Sequence, residues 1–414
     1  MIKKIIKYLL ITALTILFGL SNLYGYYASE NFIDFLVQSN QLRIRTDRLG
    51  VLHGTDYLRV AAGLTSANSL SDYIFHNINS VQQTNAINTF VPSALVGIGY
   101  EAGFWGIGFG YEFTYKNDAY MVHTPIITAT ALDDDFRINV PVQIGIGSKS
   151  KKEVTDLRGA MVISTGVEAR YYIRRSVFSH LRLYLNYGNS YIENVQDKSQ
   201  KIRQQSVGFQ ARLYFQVETD TVLINPIIRI QYDQALATSI KGGSINKRVV
   251  FDNFYITAKG FTPFWSTIGP GASSGGHGNA DTGNGIQGGY IASIPESGTF
   301  YATEPYRIGI ALPVGFTATS QDENIHFYLE PALSFTMINA KKIATSIDDN
   351  APVRKTPFMA LGYVVYGELY IRPVKNLEWY FELQTGGVTI ADSLKNLAST
   401  SMVLNANTGL TYYF

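Results

Sequence analysis

Apolar side chains recur at every second position in segment after segment of this 414-residue chain. That period belongs to β-strands, whose successive side chains point to opposite faces. The pattern is clearest at the carboxyl end. Met402, Leu404, Ala406, Thr408, Leu410 and Tyr412 share one face, while Asn405, Asn407, Gly409, Thr411 and Tyr413 share the other. A strand that is apolar on one side and small or polar on the other suits a wall between lipid and a polar interior.

The same reading repeats upstream. Leu377, Trp379, Phe381 and Leu383 oppose Glu378, Tyr380, Glu382 and Gln384, and Leu361, Tyr363, Val365, Leu369 and Ile371 oppose Tyr366, Glu368, Tyr370 and Arg372. Val207, Phe209, Ala211 and Leu213 oppose Gly208, Gln210 and Arg212, and Trp105, Ile107, Phe109 and Tyr111 oppose Gly106, Gly108, Gly110 and Glu112. Exposed antiparallel sheets also alternate. A β-sandwich, however, would rarely place so many glycines together with the charges on its solvent face. Beyond the amino terminus no uninterrupted apolar run approaches the roughly 20 residues of a membrane helix, so any spanning element must be a strand of a closed barrel.

Composition agrees. Only 16% of residues are charged while 13% are aromatic, with 28 Tyr and 23 Phe, as expected of an apolar outer band with aromatic rims. Lys3, Lys4 and Lys7 followed by the apolar stretch Leu9 to Leu20 predict a signal peptide over residues 1–25. Without it the chain carries 31 basic and 32 acidic side chains, so no basic nucleic-acid surface is expected. Cysteine is absent, which excludes thiolate metal sites, disulfides and Cys nucleophiles.

Short connections alternate with long ones, the largest spanning residues 233–304. Counting strands back from Phe414 predicts an all-β, transmembrane, antiparallel up-and-down barrel. It has about fourteen strands (twelve to sixteen) over residues 57–414, with every long loop at one end, facing outward. The pair around Lys116 to Leu132 is its least regular part. Phe414, Tyr412 and Leu410 form the expected insertion signal for a barrel assembly machinery. Arg137, Glu168, Arg170, Arg182, Arg212, Arg229, Glu368, Arg372 and Glu382 are expected to line the lumen.

Residues 26–56 precede this count and admit two readings. They hold a first strand with Arg43, Arg45 and Asp47 facing the lumen, or a plug carrying Arg43, Arg45, Asp47 and Arg48 whose arginines pair with lumen carboxylates such as Glu168, Glu368 or Glu382.

The same stretch carries a family resemblance. Phe32-Ile33-Asp34-Phe35-Leu36, Asn40-Gln41-Leu42-Arg43-Ile44-Arg45 and Asp47-Arg48-Leu49-Gly50 resemble the opening of the variable surface proteins of the intestinal spirochaetes Serpulina and Brachyspira. The resemblance implies an abundant, surface-exposed outer-membrane protein with variation in its loops and no assigned catalytic residues.

Nothing else in the chain calls for chemistry. The stretch 269–289 holds nine glycines in 21 residues but lacks the Lys-Ser/Thr ending of a phosphate loop. Asp133-Asp134-Asp135 reads as a solvated turn, and no two of the six histidines stand at metal-ligand spacing. His326 and Glu330 read as ordinary lumen side chains. No enzyme, cofactor or metal is expected. The expected partners are outer-membrane lipids, the assembly machinery, and host surfaces or antibodies at the loops, with a homo-oligomer left open. The leading reading is a variable surface antigen; the alternatives are a porin or hydrophobic-solute channel and, less favoured, a secreted β-rich adhesin.

Overall fold

The structure, a computed structural model, describes residues 32–45, 48–55, 57–66, 92–117, 119–149, 158–175, 177–193, 201–219, 221–241, 250–251, 254, 256–259, 300–301, 304–343, 353–392 and 397–414. The expected signal peptide, Asp47 and the glycine-rich stretch lie outside these residues.

Sixteen strands form the wall: β1 (Gln41–Arg45), β2 (Arg48–Gly54), β3 (Leu58–Ser66), β4 (Pro92–Glu101), β5 (Trp105–Asn117), β6 (Tyr120–Ala131), β7 (Phe136–Gly147), β8 (Ala160–Arg175), β9 (Phe178–Glu193), β10 (Lys201–Phe215), β11 (Val222–Lys241), β12 (Tyr306–Thr319), β13 (Ile325–Ile343), β14 (Val353–Val374), β15 (Leu377–Asp392) and β16 (Leu397–Tyr413). Each pairs antiparallel with the next. β1 also pairs with β16, from Gln41↔Tyr413 to Arg45↔Gly409, and this closes the ring. Closure is what lets strands sit in hydrocarbon, where an open edge would leave backbone groups without partners.

The count is sixteen, at the upper limit of the expected range, because β1 and β2 have only five and seven residues. They are shorter than the roughly 9–11 residues of a spanning strand and lie within residues 26–56. The wall therefore begins at Gln41, ahead of the expected boundary at 57. The seam they make is also short. Five residue pairs join β1 to β16, against nineteen between β13 and β14.

Connections at one end are short, with tight turns at 102–104, 132–135 and 375–376, while the other end carries the long ones, including residues 67–91, 148–159 and 242–305. The turn at 132–135 is sharp enough to hold Leu132, Asp133 and Asp134 at positive φ, where Asp is tolerated better than most residues. Apolar side chains such as Val96, Ile98, Phe109, Leu185, Leu312, Leu361 and Leu383 face outward and are exposed. At the turn end Tyr57, Phe104, Trp105 and Trp379 are exposed alongside them, and nearer the loop end Tyr111, Tyr187 and Tyr232. This is an apolar band with aromatic rims.

Candidate functional site

The bore is the candidate site. A ring of sixteen strands is wide enough for an aqueous channel unless something fills it, and two segments enter it.

The first comes from the amino-terminal side. Phe32–Asp34 forms a single 3-10 turn, and Phe32, Ile33, Phe35 and Leu36 are buried inside the barrel. The rings of Phe32 and Phe35 stack with centroids 4.3 Å apart. They lie on a floor of glycines on β4 and β5. A Cβ at Gly99 would meet Phe35 at 2.7 Å, and one at Gly108 or Gly110 would meet Phe35 or Phe32 at 3.0 Å. Glycine is needed here because the plug's rings approach the strand backbone directly. Burying each of these side chains contributes on the order of 2 kcal/mol.

Asp34 fixes the plug's position. Its carboxylate accepts hydrogen bonds from Arg137 at 2.8 Å and from Arg170 at 2.9 Å. Burial pushes this carboxyl up, but Arg170 and Arg137 together more than offset it and hold it below its ordinary value of 3.8.

The second segment, residues 256–259, belongs to the longest connection. The amide of Ile256 donates to Ser206 Oγ on β10 at 2.9 Å, and that of Ala258 donates to Ser164 Oγ on β8 at 2.9 Å. The Tyr120 hydroxyl donates to the Ala258 carbonyl at 2.9 Å. Lys259 pairs with Glu112 on β5 at 2.7 Å. Ile256 and Ala258 join an apolar cluster with Ala119, Tyr120, Val122, Ala160 and Val162. Gly188 again makes room, since a Cβ there would collide with the Ile256 backbone.

Glu168, Arg170, Arg212, Arg229, Glu368 and Glu382 are buried, and the pairings of these charged groups are specific. Arg45 bridges Glu382 at 3.0 Å and lies 4.1 Å over the Tyr380 ring. Arg43 is buried beside Gln41 on the same strand. Arg48 opens β2 opposite Arg45. The plug is therefore Phe32 to Leu36, upstream of these arginines, which stand in the wall because the alternation of a strand starts at Gln41. Glu168 meets Arg170 at 2.6 Å. Glu368 is held by the hydroxyls of Tyr366 and Tyr370 and stands opposite Glu382 across β14 and β15. Arg372 pairs with Glu378 at 3.0 Å and with His326, so His326 and Glu330, whose partner is Tyr328, do not meet. No group of three potential metal ligands gathers among the described residues.

The arginines on β7 to β11 line up. Arg137 stands opposite Arg170, Arg170 opposite Arg182, Arg182 opposite Arg212, and Arg212 opposite Arg229. Tyrosines interleave them. Arg137 lies over Tyr172, Arg182 over Tyr214 and Arg212 over Tyr184, at 4.8, 4.7 and 4.5 Å. Beyond Arg229 the next wall strand supplies Arg307, which pairs with Asp233 at 2.7 Å. Alternation put Glu112 on the polar face of its strand but missed Asp34, Asp233, Lys259 and Arg307. The alternation of β11 and β12 could have placed Asp233 and Arg307 inward, but nothing in it marks Asp34 or Lys259.

At the turn end Phe414 stacks on His53 with ring centroids 5.7 Å apart, and its amide donates to the Asn40 carbonyl at 3.2 Å. Leu410 faces outward, and Tyr412 lies in register with Leu42.

A family model described as Serpulina hyodysenteriae variable surface protein matches residues 4–413. The chain belongs to that family. It is an outer-membrane β-barrel of the variable surface protein type, and the plug and seam strands coincide with the segment that carried the resemblance. No curated protein matches it. Similar solved structures include a bacterial polysaccharide outer membrane secretin, with 9% identity and a TM-score of 0.43 over 91% of this chain and 98% of that one. The copper transporter OprC has 9% identity and a TM-score of 0.40, covering 91% of this chain and 60% of that one. The outer membrane channel DcaP of Acinetobacter baumannii has 8% identity and a TM-score of 0.32, covering 90% and 96%. At these values the likeness is one of general architecture.

Proposed function

We propose that this outer-membrane surface protein works as a display barrel. The wall anchors the long connections outside the cell, where they meet host surfaces or antibodies, and the protein catalyses nothing. The reading takes the carboxyl end of β16 as periplasmic and the wall as inserted by a barrel assembly machinery. One observation carries it. The bore is entered by Phe32–Leu36 and by residues 256–259, both fixed by partly buried ion pairs, so the interior serves the rigidity of the wall. The family match supports surface exposure of the loops.

The test is planar-bilayer recording on refolded protein that shows heat-modifiable gel migration, together with antibody labelling of intact cells. The expected result is a folded barrel without discrete current steps, labelled from outside through its loops. Stable steps of nanosiemens size in the unaltered protein would overturn it in favour of a solute channel. The observation favouring that second reading is the row of arginines whose middle member, Arg182, keeps partial exposure to the bore.

A further inference from the structure

Five arginines standing in register on one face of a sheet are more than a plug needs. Like charges directly opposite each other destabilise a sheet, and a guanidinium removed from water without a counter-charge is costly. Asp34 answers Arg137 and Arg170, and Glu168 answers Arg170 again. Arg182, the middle rung, forms no ion pair among the described residues, although its charge reaches the Asp34 carboxyl, and its Nε is buried without a hydrogen-bond partner. Two neighbours on the inward face of β9 share the condition: the Tyr184 hydroxyl and His180 Nε2 are also buried polar atoms without partners. The three side chains nevertheless keep partial exposure to the bore. His180 stacks on Tyr214 at 3.9 Å, and Arg182 lies over that same ring, so the group is held in place. Donors fixed beside positive charge and lacking acceptors match an anion that carries several acceptor oxygens.

We propose that Arg182, with Arg212, Arg229 and the Tyr184 hydroxyl, binds a small oxyanion (a phosphate or carboxylate solute) in the bore. The Asp34 carboxylate is the tethered equivalent of that ligand on Arg137 and Arg170. The proposal goes beyond surface display and does not depend on it.

The test is titration of the refolded chain with inorganic phosphate by calorimetry, at ionic strength held constant with chloride. A second titration with citrate separates phosphate from carboxylate preference. Saturable binding of either anion is expected. It should weaken at least about tenfold in Arg182→Gln, the loss of one charge-assisted contact. Tyr184→Phe removes only a hydroxyl and guards against misfolding, and it should weaken binding several-fold while gel migration is unchanged. Asp34→Asn should tighten binding by releasing Arg137 and one side of Arg170, which keeps its pair with Glu168. Absence of saturable binding by both anions, or unaltered binding in both Arg182→Gln and Tyr184→Phe, would overturn the site. Unaltered affinity in Asp34→Asn would overturn the role given to Asp34.

Discussion

A single methyl group decides whether the bore can hold its plug. Gly99 lies so close to Phe35 that any Cβ forces the ring away. Gly99→Val is therefore expected to unseat Phe32–Leu36 while leaving the wall strands intact. The chain has no cysteine, so a single thiol introduced as Val37→Cys reports the change cleanly. Its labelling by a membrane-impermeant maleimide should quicken by about tenfold or more in the glycine variant, and equal rates would refute the cradle. Asp34 gives the same contact a pH signature. A carboxyl held below its ordinary pKa when docked stabilises docking above that ordinary value, and the contribution is lost as pH falls through the docked pKa. The plug should thus stay seated throughout the mildly acidic range and loosen only below 3.8. Release near neutrality, followed with the same thiol, would contradict this.

At the scale of strands and loops, the inserted segment depends on one buried pair. Lys259→Ala leaves Glu112 buried without its ammonium, which costs roughly 3 kcal/mol or more. Hydrogen exchange at the Ala258 amide should accelerate accordingly, and unchanged protection would mean that the Ser164 and Ser206 contacts suffice. The end strand makes a separate demand. Phe414→Ala removes the ring that stacks on His53, and outer-membrane yield should fall through slower assembly; unchanged yield would discard the insertion signal. Strands β7 to β10 and β12 to β16 were legible from alternation because one of their faces meets lipid and the other meets charge or glycine, whereas residues 233–241, expected in the longest loop, continue β11. β6 was the least regular because its inward face carries Tyr120, Val122 and Ile126, which pack on the inserted segment or the plug, so both faces are apolar. The arginine ladder could not be read from the chain. Alternation assigns a side to each residue, whereas the meeting of Arg170 with Arg182 depends on register between strands. The entry of residues 256–259 was hidden for a similar reason, since its partners lie on β5, β8 and β10.

For the whole molecule, the plug and the wall cannot be considered apart. Only four residues separate Leu36 from Gln41, where β1 begins, and β1 is the strand that closes the ring. Asn40, between them, ties to Gly54 through both its side-chain atoms. The stopper and the last stitch are thus one short length of chain, and the stitch is five pairs long where the adjoining β15–β16 seam runs to sixteen. A pull that draws the stopper out through the turn end loads that stitch end-on. Uncorking this barrel and splitting it sideways toward the bilayer are, mechanically, the same event.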